Sequence, residues 1–283
     1  MADTKPNVRR KVIGVALVAI VGVVGTFVGI GSIRTPTGPA DGTSIHGTAA
    51  SPAANVPDVI RVASFNIHSG RSETGHLDLT LTARTLEGFD LAGLYEVRGG
   101  MLESSPSQAE QLAKQLGEMW LFSPTEKQYW RDDFGNALVT RLPVTSWQRL
   151  PLPTVGESGA RNVLVTRFGD GQLTVLLTHI ARHADQEPQL KMIARLFLEY
   201  RTPVILMGDL NATSDNPVIK GLLADPSVIN PLDLKHPDLV DRHIDWILAR
   251  GVKVIDAGTR ELGASDHPLV WAELALRHPA TQP

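Results

Sequence analysis

Apolar residues recur along this chain in three rhythms, and each predicts a different kind of element. The first is unbroken: residues 12–30 are 19 consecutive uncharged and mostly aliphatic positions, close to the ~20 that a helix needs to cross a hydrocarbon core. The run has no polar face, which a soluble helix would show, so a membrane-spanning helix is expected. The second rhythm is helical. Leu77, Leu81, Thr85 and Leu86 share one side of a helix predicted over 77–86, and Ala109, Leu112, Ala113 and Leu116 share one side of another over 107–119. The third is a series of short strand-like runs over 60–67, 91–95, 136–141, 162–168, 173–178, 204–206, 244–249 and 269–276. Many strands, with a few helices able to cover their outer faces, predict two packed sheets in an α/β sandwich.

Between the apolar run and the first strand, residues 31–57 are rich in Gly, Pro, Ala, Ser and Thr. Such a segment buries too little surface to offset its ordering entropy and reads as a flexible tether. The chain then divides into a cytoplasmic N-terminus (1–11), a transmembrane anchor (12–30), a linker (31–57) and one folded domain (58–283). Lys5, Arg9, Arg10 and Lys11 precede the apolar run and only Arg34 follows closely, so the positive-inside rule places the domain outside the cytoplasmic membrane. A cleaved signal peptide, leaving a secreted domain, is the rival reading. The run exceeds the ~7–15 residues usual for such a signal, and Ile33-Arg34-Thr35 stands where a small-x-small cleavage site would be needed.

Composition narrows the chemistry. Beyond residue 58 the chain carries 22 Lys and Arg against 27 Asp and Glu, which opposes a module that grips nucleic acid by neutralising many phosphates. It leaves open an enzyme that holds phosphate through a metal ion. Cysteine is absent, which excludes disulfides, thiolate catalysis and Cys-bound zinc.

Polar residues gather where the predicted strands end: Asn66, Glu96, His179, Asp209 with Asn211, Asp245, and Asp266 with His267. Carboxylates and imidazoles at strand ends can meet on one rim of a sheet, hold a hard cation and move protons. Each alone reads equally as a turn former, a cap or half of an ion pair; the repetition is the signal.

Seven segments, in order, resemble the motifs of the endonuclease/exonuclease/phosphatase superfamily, whose fold is DNase I-like. They are Ser64-Phe65-Asn66-Ile67-His68, Gly93-Leu94-Tyr95-Glu96-Val97, the segment from Gly135 to Pro143, Leu177-Thr178-His179-Ile180, Gly208-Asp209-Leu210-Asn211, Ile244-Asp245-Trp246-Ile247 and Ser265-Asp266-His267-Pro268. The likeness spans 61–276, and Tyr95 stands where the family usually has Gln. It implies a metal-dependent phosphodiester hydrolase with Mg²⁺ (or Mn²⁺) held by Glu96, by the amide oxygen of Asn66 and by Asp266 or its waters. In the roles it implies, Asp209 deprotonates the attacking water and Asn211 contacts the phosphoryl oxygen. His267, oriented by Asp245, stabilises the phosphorus centre or leaving group, and His179 is a second acid. Asn136, Arg141 and Arg161 become candidates for substrate binding, with a structural role equally open for Arg141. Nucleic acid is the favoured substrate and a lipid phosphodiester the alternative. A phosphate-monoester phosphatase ranks lower, since the Cys-Asp-Arg element of inositol polyphosphate phosphatases is missing, and a non-enzymatic binding module ranks last. The stretch from Arg182 to Asp185 reads as a solvated loop.

Overall fold

The computed structural model describes residues 34–49, 55–100, 105–128, 133–155, 159–169, 171–239 and 243–276. The predicted anchor over 12–30 lies outside them, and among the described residues no helix is long and apolar enough to cross a membrane.

Two mixed sheets pack face to face. One runs in the order β1 (Arg34–Pro36), β5 (Met119–Gln128), β6 (Phe134–Thr140), β4 (Leu91–Arg98), β3 (Val59–Asn66), β13 (Leu269–Leu276), β12 (Val252–Arg260). The other runs β11 (Asp245–Arg250), β10 (Val204–Asp209), β9 (Leu173–His179), β8 (Asn162–Phe168), β7 (Val144–Pro151), β2 (Ala40–Gly42). Helices α1 (Leu79–Leu86) and α2 (Gln108–Leu116) cover the first sheet, and α3 (Gln186–Glu199) and α4 (Pro217–Ala224) cover the second. A short helix α5 (Pro231–Lys235) precedes β11.

Strand periodicity builds the layers. Successive side chains face opposite sides of a sheet, so Val62 and Val175 enter the core between the sheets while Ala63 and Leu176 meet the outer helices. Both faces of the central strands are covered, which explains why β9 and β10 are buried along their whole length and why their sequences are continuous apolar runs.

Local signals set the helix ends. Asp78 accepts the Leu81 N–H at 2.9 Å, so α1 starts at Leu79 and not at 77. Gly117, with φ of +68°, closes α2, and the predicted 107–119 helix stops there because its next residues enter β5. The largest departure is the tether. Residues 34–49 add a short strand to the edge of each sheet and bridge His46 to Trp120, so over 34–49 the linker is part of the sandwich. Gly and Pro do not prevent this, because edge strands tolerate them.

Candidate active site

Parallel and antiparallel pairing bring one end of every central strand to the same rim. Asn66 lies opposite Tyr95, and Asp209 pairs with His179 on one side and Asp245 on the other. Because β10 is flanked by both, one rung of the sheet holds two carboxylates and an imidazole. Two glycines let the floor close beneath them: a Cβ on Gly93 would lie 2.6 Å from Leu177, and one on Gly208 would lie 2.5 Å from the Thr178 carbonyl oxygen. Tyr95 fills the space below, fully buried, with its hydroxyl 3.2 Å from Ser64 Oγ and its ring edge-on to His179.

Glu96 reaches the rim through a backbone irregularity. The pairing of β4 with β6 shifts between Leu94 and Val97, and Glu96 takes a φ of +58°. A bulge of this kind re-aims a side chain, and a left-handed φ in a residue that is not glycine is strain held by its surroundings. His68, Ser69 and Asn211 also have positive φ, so the strained backbone clusters at this rim.

Asn66 ties the two halves together. Its amide nitrogen lies 3.3 Å from Glu96 Oε1 and 3.0 Å from Asp209 Oδ2, while its oxygen accepts the His68 N–H at 3.0 Å. In this arrangement the Asn66 oxygen is turned to a backbone donor and the N–H groups sit between carboxylates. Asn211 differs from expectation. Strand geometry ends at Asp209, and Asn211 reaches the site from a left-handed turn whose N–H bonds Asp209 Oδ1 at 3.0 Å. Its Nδ2 donates to the Ile180 carbonyl at 2.8 Å and to His179 Nε2 at 3.1 Å, and its Oδ1 accepts from Arg182 Nε at 2.7 Å.

The charges are unequal. Burial and the nearby Asp245 push the Asp209 carboxyl up to about 6, against the opposing pull of the Asn66 amide, the His267 charge and the Asn211 N–H. Burial likewise raises Asp245, whose Oδ2 accepts from His267 Nδ1 at 2.7 Å while its Oδ1 has no partner. Burial would lower His267, but the hydrogen bond and charge of Asp245, with Asp209 and Asp266, outweigh it and hold the imidazole at about 9. His179 goes the other way: burial, then the charges of Arg161, His267 and Arg182, hold it well below its ordinary value. One histidine at this rim is therefore a cation and the other neutral.

Other expected residues are placed differently. Arg161 is at the rim, half-buried, its Nε without a hydrogen-bond partner among the described residues; burial lowers its pKa and the charges of Glu96, Glu126 and Asp209 act to retain its proton. Arg141 is corrected. It follows β6 at the far end, where its Nε donates to Asp90 Oδ1 at 2.7 Å and its backbone N–H bonds the Asp90 carbonyl. Five β4 residues separate Asp90 from Glu96, on the order of 17–20 Å of strand, so Arg141 makes a structural pair. Asn136 is buried and donates to the Asn162 carbonyl and side-chain oxygens, both at 3.2 Å, which joins the sheets under the rim. Asp266 is 56% exposed and faces His68 Nδ1 at 3.4 Å; it adds charge beside His267 from outside the Asn66–Glu96–Asp209 cluster.

Sequence reasoning passed over Asn162, whose Nδ2 also reaches the Pro124 carbonyl at 2.9 Å. It also missed Arg98, which lies over the Phe134 ring at 4.8 Å, beside the expected Arg161 at 5.8 Å. Asp185, read as part of a solvated loop, is fully buried and accepts the Val155 N–H.

The donor set fits a hard divalent cation. Asp209, Asp245 and His267 present atoms within 4.8 Å of one another, but a protonated imidazole bonded to Asp245 has no lone pair to give. The oxygens carry the fit: Asp209 and the orphaned Asp245 Oδ1, with Glu96 joined to Asp209 through the shared Asn66 amide. Buried carboxylates this close repel, and a hard oxygen-seeking cation relieves that repulsion.

The sequence profile described as the Endonuclease/Exonuclease/phosphatase family matches residues 63–267. A comparison with curated proteins finds no significant match. Among solved structures, an endonuclease/exonuclease/phosphatase from Beutenbergia cavernae DSM 12333 superposes with a TM-score of 0.64 at 21% identity, over 77% of this chain and 72% of that one. D. rerio TDP2 complexed with a single-strand DNA product gives 0.57 at 16% identity, over 77% and 99%. ANGEL2, described as a 2',3'-cyclic phosphatase, gives 0.57 at 13% identity, over 76% and 95%.

Proposed function

Because this chain belongs to the endonuclease/exonuclease/phosphatase family, whose enzymes act on phosphoester bonds, we propose that its rim hydrolyses phosphodiesters with a divalent metal ion, outside the cytoplasmic membrane. The observation that carries the reading is the placement of Asp209. It stands between the Asn66 amide shared with Glu96 and the Asp245–His267 pair, so a base, a charge-neutralising centre and a proton donor converge on one group.

A phosphodiester resists attack because it is anionic, and catalysis requires its charge to be neutralised and its leaving oxygen protonated. Glu96, Asp209 and Asp245 would hold Mg²⁺ or Mn²⁺, which supplies charge neutralisation at the phosphoryl oxygens. Asp209, which lies between the Asn66 amide and the Asp245–His267 pair, takes the proton of the attacking water. The water oxygen bonds to phosphorus, one ester P–O bond breaks, and His267 gives its proton to the departing oxygen. Asp245 keeps that imidazole protonated and aimed. Arg161 pairs with a phosphoryl oxygen, and the Asn211 backbone N–H fixes the other side of Asp209 while neutral His179 accepts from the Asn211 amide. Asp266 adds negative charge beside His267.

Nucleic acid and lipid diesters share this chemistry. The DNA product in TDP2 supports nucleic acid, and the acidic balance of the body opposes a tight polyanion grip. The reading is tested on the full chain in detergent with Mg²⁺ or Mn²⁺, using bis(p-nitrophenyl) phosphate as a diester and p-nitrophenyl phosphate as a monoester. The diester is expected to turn over faster, with Asp209→Asn abolishing the difference. Preference for the monoester, or full activity in Asp209→Asn, overturns it.

A further inference from the structure

We propose that the catalytic rim is held facing the membrane and that the diester it cleaves belongs to a lipid head group at that surface. The inference rests on the phosphodiester reading of the rim and on residues 12–30 as a membrane helix.

It begins with the direction of β1. Arg34 pairs with Gln128 and Pro36 with Glu126, and Glu126 in turn pairs with Phe134 and Ser123 with Asn136. The C-terminal end of β5 and the N-terminal end of β6 are on the rim, so the chain joins the sandwich at the catalytic end and not at the base. Only residues 31–33 separate the apolar run from Arg34. Fully extended, the four steps from Ile30 to Arg34 reach about 14 Å, whereas the eight-residue strands put the base roughly 26 Å farther away. Had all of 31–57 been free, its end-to-end distance would be about 29 Å in any direction. Residues 34–49 instead descend the side of the sandwich. Ala40 pairs with Arg149 and Gly42 with Trp147, His46 bridges Trp120, and Asp58 bonds Leu276 at the base.

Three of the seven exposed large hydrophobics among the described residues lie at the rim. Val155 is 69% exposed, Leu77 64% and Leu262 50%, and each lies on a loop at the rim: between β7 and β8, before α1, and between β12 and β13. Arg34 and Arg182 are also exposed there. Exposed apolar side chains and arginines suit a lipid–water boundary with phosphate head groups, and they share the rim with the exposed Glu73, Glu261 and Asp266. A nucleic acid would have to enter between this face and the bilayer, while a head group is already there. Hydrolysis adds water across one P–O bond and leaves an alcohol and a phosphate monoester.

The absence of cysteine makes orientation measurable without activity. Leu262→Cys at the rim and Lys253→Cys at the base are each labelled with a fluorophore in the full chain. The chain is reconstituted into vesicles of phosphatidylglycerol and phosphatidylcholine carrying a head-group quencher. The rim label is expected to be quenched several-fold more than the base label; equal or reversed quenching overturns the inference. In the same vesicles with Mg²⁺ or Mn²⁺, the phospholipids are expected to be cleaved at least ten times faster than added plasmid DNA, and DNA cleavage with intact lipid overturns the substrate. Failure on bis(p-nitrophenyl) phosphate overturns the rim chemistry instead, while the quenching still reports the orientation.

Discussion

Asp90 and Asp209 are both buried carboxylates at strand ends, one at the base of the sandwich and one at its rim. At the base, Asp90 is surrounded by donors: the Arg141 guanidinium on Oδ1 and the Arg61 N–H on Oδ2 at 2.7 Å. At the rim, Asp209 has an amide, a backbone N–H and the His179 ring at 3.4 Å but no arginine bond among the described residues, and it faces a second carboxylate that helps to raise it to about 6. A buried charge with its partner attached holds the fold together, whereas one left short of compensation is available to take a proton or hold a cation. The same residue type serves stability at one end and chemistry at the other, and the partners decide which.

The widest separation between the two ends is expected from Asp209→Asn, which should lower kcat by roughly 10²–10⁴-fold while leaving the unfolding temperature unchanged or higher, because it removes repulsion with Asp245. A clear fall in Tm would break the contrast. Asp245→Asn should lose about 10²-fold or more in kcat and, in the metal-free chain followed by NMR, return the His267 titration from about 9 toward its ordinary 6.5. The sign follows from linkage: a histidine raised in the folded state stabilises fully below about pH 6.5 and loses that contribution as the pH climbs through about 9. A His267 titration unmoved by the substitution would remove Asp245 as its partner.

At the base the effect should reverse in kind. Asp90→Asn is expected to cost about 2 kcal/mol of stability, measured by chemical denaturation, with kcat per folded molecule retained. A catalytic defect there would join the two ends into one network. The smallest change is expected from Arg161→Gln, roughly tenfold in kcat/KM, or about 1.4 kcal/mol, carried by KM. An equal loss in Tm with KM unchanged would move Arg161 to the structural side of the comparison.

Much of the sandwich was legible in the sequence because its central strands are buried on both faces and read as apolar runs, as in β8, β9 and β10, while β13 alternates buried and half-buried positions. Strands at or near the edges were not. The β5 sequence contains Pro124 and ends in Glu126-Lys127-Gln128, and β7 is half-exposed along almost its whole length, so neither shows a sharp period. Helix α3 was hidden by Pro188, which reads as a breaker yet sits in the first turn, where the missing N–H costs nothing. In the site, the motif residues came from seven separate segments and their meeting depended on strand direction. The bulge that turns Glu96 inward leaves no mark on residue order, and the Asn66 orientation is set by carboxylates that are its neighbours only in space. Arg141 illustrates the opposite case: a motif position whose chemistry is occupied by Asp90, a residue 51 positions earlier that no local pattern connects to it.

The most direct test of the rim as a divalent-cation centre is chelation followed by metal add-back, reading hydrolysis of bis(p-nitrophenyl) phosphate by the full chain and by Glu96→Gln. Activity should vanish with chelator, return with Mg²⁺ or Mn²⁺, and require at least ten times more metal in Glu96→Gln. Turnover that survives complete chelation, or a metal requirement identical in the two proteins, would contradict the account.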